Sequence, residues 1–337
     1  MSEPIQRNLG FELVRATEAA AMAAGRWMGR GDKEAVDRAA VEAMRFTLAS
    51  VDMDGVVVIG EGEKDQAPML YIGEHIGNGL PPQVDVAVDP VDGTRALAKG
   101  LPNAVSVVAL AERGTLYYPK NIVYMDKMAV GPRAKEAIDI TASVATNLKN
   151  IAHAKKSDVE DLTVVVLDRE RHEELIRQIR QVGARVKLIQ DGDVAGAIMA
   201  ALEGTGVDAL MGVGGSPEAV LAACALKCLG GEIQCRLWPR DEAERQAAIA
   251  AGLELDRVFT SSDLVQGSDV FFAVTGITDG ELVRGVRYFA DGARTHSIVM
   301  RSRSGTVRHI EATHNFEKLR RITSIAYENA PLKIGRG

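Results

Sequence analysis

The stretch Asp89-Pro90-Val91-Asp92-Gly93-Thr94 decides how the rest of the chain is interpreted. It follows QVDVAV at residues 83–88, where valines alternate with other residues, as in a strand with one buried face. Proline cannot donate a hydrogen bond to a strand ladder, so we expect the strand to stop at Pro90. Gly93 permits a tight turn directly after it.

This turn can bring two carboxylates and a hydroxyl to one point. Asp89 and Asp92 stand at its two ends, and Thr94 starts the next segment. Hard carboxylates beside a hydroxyl are suited to Mg²⁺ or Mn²⁺ and to a phosphate ester. Two simpler interpretations are that the aspartates are solvated and that Thr94 only caps a helix beginning at Arg95.

Other acids follow or line neighbouring elements. The apolar run Val56–Ile59 ends in Gly60-Glu61-Gly62-Glu63, so a second strand carries a carboxylate at its end. Asp37 lies in a predicted helix from Lys33 to Ser50, on or beside its apolar stripe. A carboxylate there needs a cation or a donor, although Asp37 could also be a rim residue near Arg38 or Arg45. A shared acidic cluster is therefore predicted.

The second half of the chain alternates predicted strands and helices, which is typical of a parallel sheet. Three strand ends there carry polar residues, and ligands gather at such ends. Arg169 and Arg171 could hold a phosphate or could be a solvated helix start. Asp191 and Asp193 could bind sugar hydroxyls or cap a helix. Gly214-Gly215-Ser216-Pro217-Glu218 exposes N–H groups at a helix start, a natural anion site.

Together these motifs resemble the class II fructose-1,6-bisphosphatases, within the lithium-sensitive, metal-dependent sugar and inositol phosphatases. The resemblance rests on residues 89–94 and on three flanking stretches, and it runs from about Gly10 to about His314. These stretches are Gly60-Glu61-Gly62-Glu63, Ala67-Pro68-Met69-Leu70-Tyr71-Ile72-Gly73-Glu74 and Gly29-Arg30-Gly31-Asp32-Lys33.

The resemblance implies an α/β sugar-phosphatase fold (inositol monophosphatase/FBPase-like) with layered sheets and helices. It implies hydrolysis of the C1 phosphate of fructose 1,6-bisphosphate, with Mn²⁺ or Mg²⁺ at two sites or more. Some members carry Glu where this chain has Asp92, which leaves the geometry of the second metal site open. The implied metal ligands are Asp37, Glu61, Asp89, Asp92 and Glu218. The implied catalytic residues are Thr94, Asp92 and Glu61. The implied substrate-binding residues are Asp92, Gly93, Thr94, Tyr124, Arg169, Glu170, Arg171, Asp191, Gly192, Asp193 and Gly215.

Three alternatives remain open at this point. The substrate could instead be sedoheptulose 1,7-bisphosphate or an inositol phosphate. The chain could also be a catalytically idle metal- or phosphate-binding regulator, which the intact Thr94 disfavours. Finally, Asp52-Met53-Asp54-Gly55 imitates the nucleophile motif of haloacid-dehalogenase-type phosphatases. In that family the aspartates follow a strand, whereas here they precede one, so we interpret the stretch as a helix-to-strand turn.

Composition bounds the remaining possibilities. The chain has 337 residues, 46% hydrophobic and 26% charged, which is typical of a globular protein with a large core. A net charge of −6 disfavours a nucleic-acid partner. We expect no membrane span, and we interpret Cys224, Cys228 and Cys235 as buried, reduced thiols of a cytoplasmic protein rather than a zinc site.

The expected organisation is two halves and more than one subunit. Residues 1–155 should form a metal-binding α+β half that carries the DPVDGT motif. Within it, Asp32 can cap the helix that begins at Lys33, and residues 104–111 and 116–118 should form a hairpin with a turn at Glu112-Arg113-Gly114. Residues 156–337 should form an α/β half that carries the sugar- and phosphate-binding loops. The expected partners are a small sugar bisphosphate and other copies of the chain, as a homo-oligomer (dimer or tetramer).

Overall fold

The structure is a computed structural model that describes residues 9–62, 69–118, 122–325 and residue 327. Glu63 of the Gly60 motif, and Ala67 and Pro68 of the next one, lie outside the described residues. Among the described residues, no helix combines the length and the apolar character needed to cross a membrane.

The described residues form a mixed α/β structure with two sheets and ten α-helices, which confirms the predicted α/β class. The strands are β1 (Asp54–Ile59), β2 (His75–Ile76), β3 (Gln83–Asp92), β4 (Val105–Glu112), β5 (Tyr124–Val130), β6 (Thr163–Leu167), β7 (Arg185–Ile189), β8 (Ala209–Gly215), β9 (Glu232–Leu237), β10 (Phe259–Thr260), β11 (Phe271–Gly276), β12 (Arg287–Phe289), β13 (Gly292–Arg301) and β14 (Thr306–Asn315). The helices are α1 (Leu9–Ala24), α2 (Lys33–Leu48), α3 (Thr94–Ala98), α4 (Val144–Lys155), α5 (Glu173–Val182), α6 (Asp193–Ala201), α7 (Ser216–Leu229), α8 (Glu242–Ala250), α9 (Ser261–Leu264) and α10 (Phe316–Leu319).

The larger sheet has eight strands in the order β12-β13-β11-β4-β3-β1-β2, with β14 on the other side of β13. Only β1 and β3 pair in parallel, and this pairing brings their carboxyl ends to one edge. A hairpin predicted between residues 104 and 118 is wrong, because β4 pairs with β3 and β11 instead. The strand is apolar at nearly every position, as expected for a strand buried on both faces.

The smaller sheet has six strands in the order β10-β9-β5-β8-β6-β7. The predicted parallel pairing is confirmed for β6 with β7 and for β6 with β8. β5 pairs antiparallel with β8 and β9, so the sheet is mixed. β5 comes before the parallel strands in the sequence, and β11 to β14 return to the larger sheet after them.

Helices and sheets alternate in five layers. α1 and α2 share a hydrophobic core with one face of the larger sheet. α6 and α7 lie between the sheets, in a core to which both sheets contribute. α4 and α5 cover the outer face of the smaller sheet. α7 is apolar on all sides because it packs against both sheets, whereas α2 is amphipathic. Asp32 caps the start of α2 by accepting a hydrogen bond from the Ala35 N–H at 2.9 Å.

The prediction that the β3 strand stops at Pro90 is wrong, since β3 continues to Asp92. Its register against β4 shifts between Asp89 and Asp92, so an extra residue is accommodated at this point. Proline is tolerated in a strand at such a bulge, because no ladder donor is needed there. A bulge also re-aims the side chains beside it, which here are the two aspartates.

Candidate metal and phosphate site

Gly93 fixes the turn that follows the bulge. Its φ is 102°, in the left-handed region, and it is the N-cap residue of α3. A Cβ atom at this position would also lie only 3.3 Å from the Cα of Ala104. Both the backbone conformation and the close packing therefore favour glycine.

Thr94 is hydrogen-bonded to Asp37. Its hydroxyl oxygen lies 2.9 Å from Asp37 Oδ1 and 3.1 Å from the carbonyl oxygen of Val91. A carboxylate and a carbonyl can only accept, so the hydroxyl donates its single proton to one of them at a time. The simpler interpretation of Thr94 as a helix cap is wrong, because α3 begins at Thr94 and its cap is Gly93.

Asp37 faces this turn rather than the arginines of its own helix. Arg45 is paired with Glu74, at 3.0 Å. Burial raises the pKa of Asp37, and the hydrogen bond from Thr94 offsets part of that rise. The half-buried carboxylate therefore has a donor, as its position on the inner side of α2 requires.

Carboxyl groups from four secondary-structure elements lie near enough to raise one another's pKa values. Glu61 follows β1, and burial of its carboxyl group with the charges of Asp37 and Glu218 raises its pKa to about 7, although the residue as a whole is exposed. Burial also raises the pKa of Asp89, and the charges of Asp92, Glu218 and Glu61 raise it further. Acids from α2, the end of β1, β3 and α7 thus repel one another in this region.

Glu218 contributes a buried oxygen that has no partner. The residue lies in the first turn of α7, and its Oε2 atom is buried without a hydrogen bond. A Cβ atom at Gly215 would collide with the same oxygen, so Gly215 makes room for this carboxylate. An unpartnered buried oxygen among repelling acids fits the hard, oxygen-only ligand set of Mg²⁺ or Mn²⁺. Within the described residues, no three Asp, Glu, His or Cys side chains already stand close enough to hold an ion as they are.

Asp92 connects the acids to the second sheet. Its Oδ2 atom accepts a hydrogen bond from the Ala195 N–H at 3.1 Å, near the start of α6. Burial raises the pKa of Asp92, and the charge of Asp193 adds to that rise. A Cβ atom at Gly192 would lie 3.6 Å from Asp92 Oδ2, so the loop at residues 191–193 passes directly over this carboxylate.

Lys127 lies beside the candidate site and was not predicted from the sequence. Its Nζ atom lies 2.7 Å from Asp193 Oδ2, and the two residues are 3% and 8% exposed. Burial lowers the pKa of Lys127, but the negative charges of Asp193 and Glu218 outweigh it, and the net pKa is raised. The signal was available, because a lysine inside the apolar strand β5 is costly unless a carboxylate meets it.

Arg169 and Asp191 approach each other at the carboxyl ends of the parallel strands. Arg169 Nη2 lies 3.7 Å from Asp191 Oδ1, and Asp191 Oδ2 lies 3.3 Å from the backbone nitrogen of Arg95. Arg95 follows Thr94, so this loop reaches the turn of the acids. The alternative interpretation of Asp193 as a helix cap is wrong, because Gly192 is the N-cap of α6.

Arg171 lies over Tyr124, with its guanidinium 5.1 Å from the ring centroid. Its Nε and Nη2 atoms donate to the carbonyl oxygen of Val213 at 3.3 and 2.9 Å. His172, also missed from sequence, accepts from the Val213 N–H through Nε2 at 2.8 Å, and its Nδ1 lies 2.7 Å from the Leu167 carbonyl oxygen. Since Nε2 accepts, the proton is on Nδ1, and His172 connects the ends of β6 and β8.

Two further sequence-selected residues lie at the surface. Glu170 is exposed at the start of a short 3₁₀ turn before α5. Asp52 is exposed in the turn that precedes β1, where the side-chain amide of Asn78 donates to it. Asp52 thus stands before a strand and not after one, as the turn interpretation predicts.

The sequence also matches a known protein family and several named proteins. Residues 7–314 match the family of bacterial fructose-1,6-bisphosphatases encoded by glpX. A protein of Synechococcus sp. strain JA-2-3B'a(2-13) is 45% identical over 335 residues, covering 92% of this chain and 96% of its own. One from Synechococcus elongatus is 42% identical over 344 residues, covering 95% and 99%. Both are named D-fructose 1,6-bisphosphatase class 2/sedoheptulose 1,7-bisphosphatase.

An acid cluster beside an arginine-bearing loop is an arrangement typical of metal-assisted phosphate chemistry. The chain belongs to the glpX-encoded bacterial fructose-1,6-bisphosphatases, the class II enzymes of that activity, and is therefore a phosphatase by family. This confirms the resemblance drawn from residues 89–94 and their flanking motifs.

Proposed function

We propose that this chain hydrolyses the C1 phosphate of fructose 1,6-bisphosphate, giving fructose 6-phosphate and phosphate. The observation that carries the proposal is the hydrogen bond from Thr94 to Asp37 inside a cluster of repelling acids. Membership of the family supports the same reaction. A regulator without catalysis would not need a hydroxyl held against a carboxylate at this point.

The proposed metal ligands are the acids of the cluster. Enzymes of this family depend on a metal, which agrees with the unpartnered Glu218 Oε2 and with the raised pKa values of its neighbours. Bound divalent cations supply positive charge that polarises a phosphoryl group and lowers the pKa of an attacking water. We propose two or more sites for Mn²⁺ or Mg²⁺, formed by Asp37, Glu61, Asp89, Asp92 and Glu218.

Thr94 is the proposed proton-transfer residue. Its hydroxyl can accept a hydrogen bond from a water while it donates to Asp37 Oδ1. A proton taken from that water then has a path through the Thr94 oxygen to the carboxylate of Asp37. We propose that Glu61 and Asp92 assist through their negative charge and by orienting the reacting phosphate.

The proposed sugar and distal-phosphate site lies on the second sheet. Arg171 is oriented by Val213 and Tyr124, and Arg169 stands beside Asp191. Arginines so held can bind the phosphate that is not cleaved. The full proposed set is Asp92, Gly93, Thr94, Tyr124, Arg169, Glu170, Arg171, Asp191, Gly192, Asp193 and Gly215.

We also propose a fold family, a functional division and an assembly state for this chain. The five alternating layers support an inositol monophosphatase/FBPase-like fold. The functional division at residue 155 is supported by four proposed metal ligands before it and the sugar loops after it, although β11 to β14 belong to the larger sheet. The free, buried cysteines support a cytoplasmic location, and the family relationship supports a homo-oligomer.

A second candidate substrate is sedoheptulose 1,7-bisphosphate. The observation that favours it is the printed name of the relatives, which includes this activity. Both substrates present a phosphate ester on C1 of a ketose, so the same acids and the same hydroxyl could act on either. We rank it second because the family description names only fructose 1,6-bisphosphate.

Phosphate release tests these proposals. The protein is stripped with a chelator and assayed with Mn²⁺ or Mg²⁺ on fructose 1,6-bisphosphate, sedoheptulose 1,7-bisphosphate and an inositol monophosphate. We expect no turnover without metal, restoration with metal, and the highest kcat/KM on fructose 1,6-bisphosphate. Full activity of the stripped protein would remove the metal proposal. Faster turnover of an inositol phosphate would replace the substrate.

A further inference from the structure

The larger sheet has one long edge that no strand of the described part of the chain covers. β14 pairs with β13 through ten consecutive residue pairs, from Thr306 to Asn315. Its other side faces no strand among the described residues, and none of its ten residues is buried. The outward backbone N–H and C=O groups of β14 are thus available for pairing.

This edge is long and lacks proline, lysine and a bulge, although it carries the charged residues Arg308 and Glu311. Natural proteins shield an edge strand by shortening it, by adding proline or lysine, or by a bulge. β14 contains neither residue type, and its register against β13 has no break. The other terminal strands are short: β2 and β10 have two residues each, β12 has three and β7 has five. A long, regular edge is expected to pair with another strand.

We propose that β14 pairs antiparallel with β14 of a second copy of this chain, around a two-fold axis at Ile310. This inference is independent of the proposed catalytic function. Hydrogen-bonded and non-hydrogen-bonded pairs alternate along an antiparallel ladder. A two-fold axis perpendicular to the sheet must therefore pass between two copies of the same residue. Ile310 and Glu311 are the central residues of β14 and give the longest ladders.

Charge decides between these two centres. An axis at Glu311 would set two carboxylates directly opposite each other, which is destabilising. An axis at Ile310 sets two isoleucines opposite each other, and it places His309 opposite Glu311 of the partner subunit twice. Glu311 is already directed to this face, where its carboxylate lies 3.4 Å from Arg294 and 3.0 Å from His296.

The opposite face of the edge supplies apolar surface. Ile310 packs against the core that β14 shares with α1. Phe11 of α1 is 47% exposed, and its ring centroid lies 5.9 Å from the guanidinium of Arg308 on the same strand. Pairing at Ile310 would bring this side chain against its own copy, and Phe11 would add apolar surface on the same face of the edge. The result is a sheet that continues across two subunits.

A cysteine trap tests the register. The three native cysteines are buried. A cysteine added on β14 would therefore be the only accessible thiol among the residues that the structure describes. In Ile310→Cys the two new thiols face each other, with Cα atoms about 4.5–5.5 Å apart. In the control Arg308→Cys they lie four residues apart along the strand, roughly 13 Å, beyond disulfide reach. We expect a cross-linked dimer after mild oxidation only for Ile310→Cys, and equal or absent cross-linking in both would overturn the proposal.

A charge variant tests the interface without a covalent bond. In His309→Glu, the new carboxylate faces Glu311 of the partner subunit, and the two-fold axis repeats this contact. The dimer Kd measured by sedimentation should therefore rise about tenfold or more. His153→Glu, the same change on an exposed residue of α4, should leave Kd unchanged. Adding Glu311→Lys to His309→Glu should restore the dimer. A wild-type chain that is monomeric, or a His309→Glu variant that dimerises like wild type, would reject the interface.

Discussion

Lys127 and Asp193 form a buried ion pair, 2.7 Å apart, between a strand of the smaller sheet and the start of α6. Glycine at position 214 makes the pair possible, since a Cβ atom there would collide with Asp193 Oδ2 and lie 3.0 Å from Lys127 Nζ. The lysine supplies positive charge beside a cluster of acids, so it stabilises the site from within the protein.

Loss of one partner of this pair should be more harmful than loss of both. Lys127→Met leaves the carboxylate of Asp193 buried and unpaired, which should lower the free energy of unfolding by about 3–5 kcal/mol. The double variant Lys127→Met, Asp193→Asn should recover most of that stability but not the activity. Urea unfolding and KM measured on each variant check this, and a double variant with the summed loss of both single variants would contradict it.

The aspartates at positions 52 and 89 should differ sharply in effect. Asp89 is buried among acids, whereas Asp52 is exposed in a turn. Asp89→Asn should therefore lose most phosphate release, and the matched change Asp52→Asn should keep it. Steady-state kinetics with Mn²⁺ decide the point. If Asp52→Asn lost activity and Asp89→Asn kept it, or if Asp52 became phosphorylated, the chemistry would lie at the Asp52 motif instead.

Glu18 gives a pH dependence of stability outside the proposed catalytic site. Burial raises its pKa to about 7, although Thr295 Oγ1 donates to it at 3.0 Å and Arg15 also opposes the rise. His314 lies 3.8 Å away, and its own burial lowers its pKa, so it provides little positive charge near neutrality. A carboxyl group whose folded pKa exceeds its unfolded pKa stabilises the fold at low pH. That contribution is lost as pH rises from about 4.5 through about 7.

Glu18→Gln should remove this loss, because the amide oxygen still accepts from Thr295 and does not ionise. The stability of the variant relative to wild type should therefore increase from pH 5 to pH 8, by up to about 3 kcal/mol of unfolding free energy. The same trend should appear in Tm. Glu34→Gln, a change at an exposed glutamate of α2, is the matched control and should leave the pH profile of Tm unchanged. Parallel profiles for Glu18→Gln and wild type would count against a neutral buried Glu18.

Local patterns predicted the acids but not all of their partners. The strand ahead of Asp89 and the capping by Asp32 are visible within a few residues of sequence, and both are confirmed. The pair formed by Lys127 spans 66 residues, and no local pattern predicts where a buried lysine finds its carboxylate. The rejected hairpin after β4 has the same cause, because the true partner strand begins at Phe271.

Arg169 and Arg171 are expected to act on the distal phosphate. Alanine at either position should raise KM more for fructose 1,6-bisphosphate than for fructose 1-phosphate, which lacks that phosphate. Arg171→Ala should also cost some stability, because two of its N–H groups bond to Val213. Arg177→Ala, an exposed arginine of α5, is the control. Equal effects on both substrates would leave the two arginines as structural residues.

Thr94 is the residue on which the proposed chemistry most depends. Since α3 begins at Thr94 and its cap is Gly93, loss of the hydroxyl removes no side-chain cap, but it leaves Asp37 without its donor. Thr94→Ala should therefore fold, with a loss of about 1–3 kcal/mol of unfolding free energy. Loss of a proton-transfer group should lower kcat by roughly 10²–10⁴-fold. Thr94→Ser keeps the hydroxyl and should retain measurable activity. Metal affinity, measured by calorimetry, should be similar in all three proteins.

The hydrogen bond between Thr94 and Asp37 makes the same prediction sharper. If the proton passes from Thr94 to Asp37, the two residues act as one unit, and their losses should not add. The kcat of Thr94→Ala combined with Asp37→Asn should therefore be close to that of the worse single variant. Two independent losses that multiply would show that Asp37 contributes only to metal binding. An alanine variant that turns over within a few-fold of wild type, roughly the lower limit for a lost proton transfer, would remove Thr94 from the chemistry.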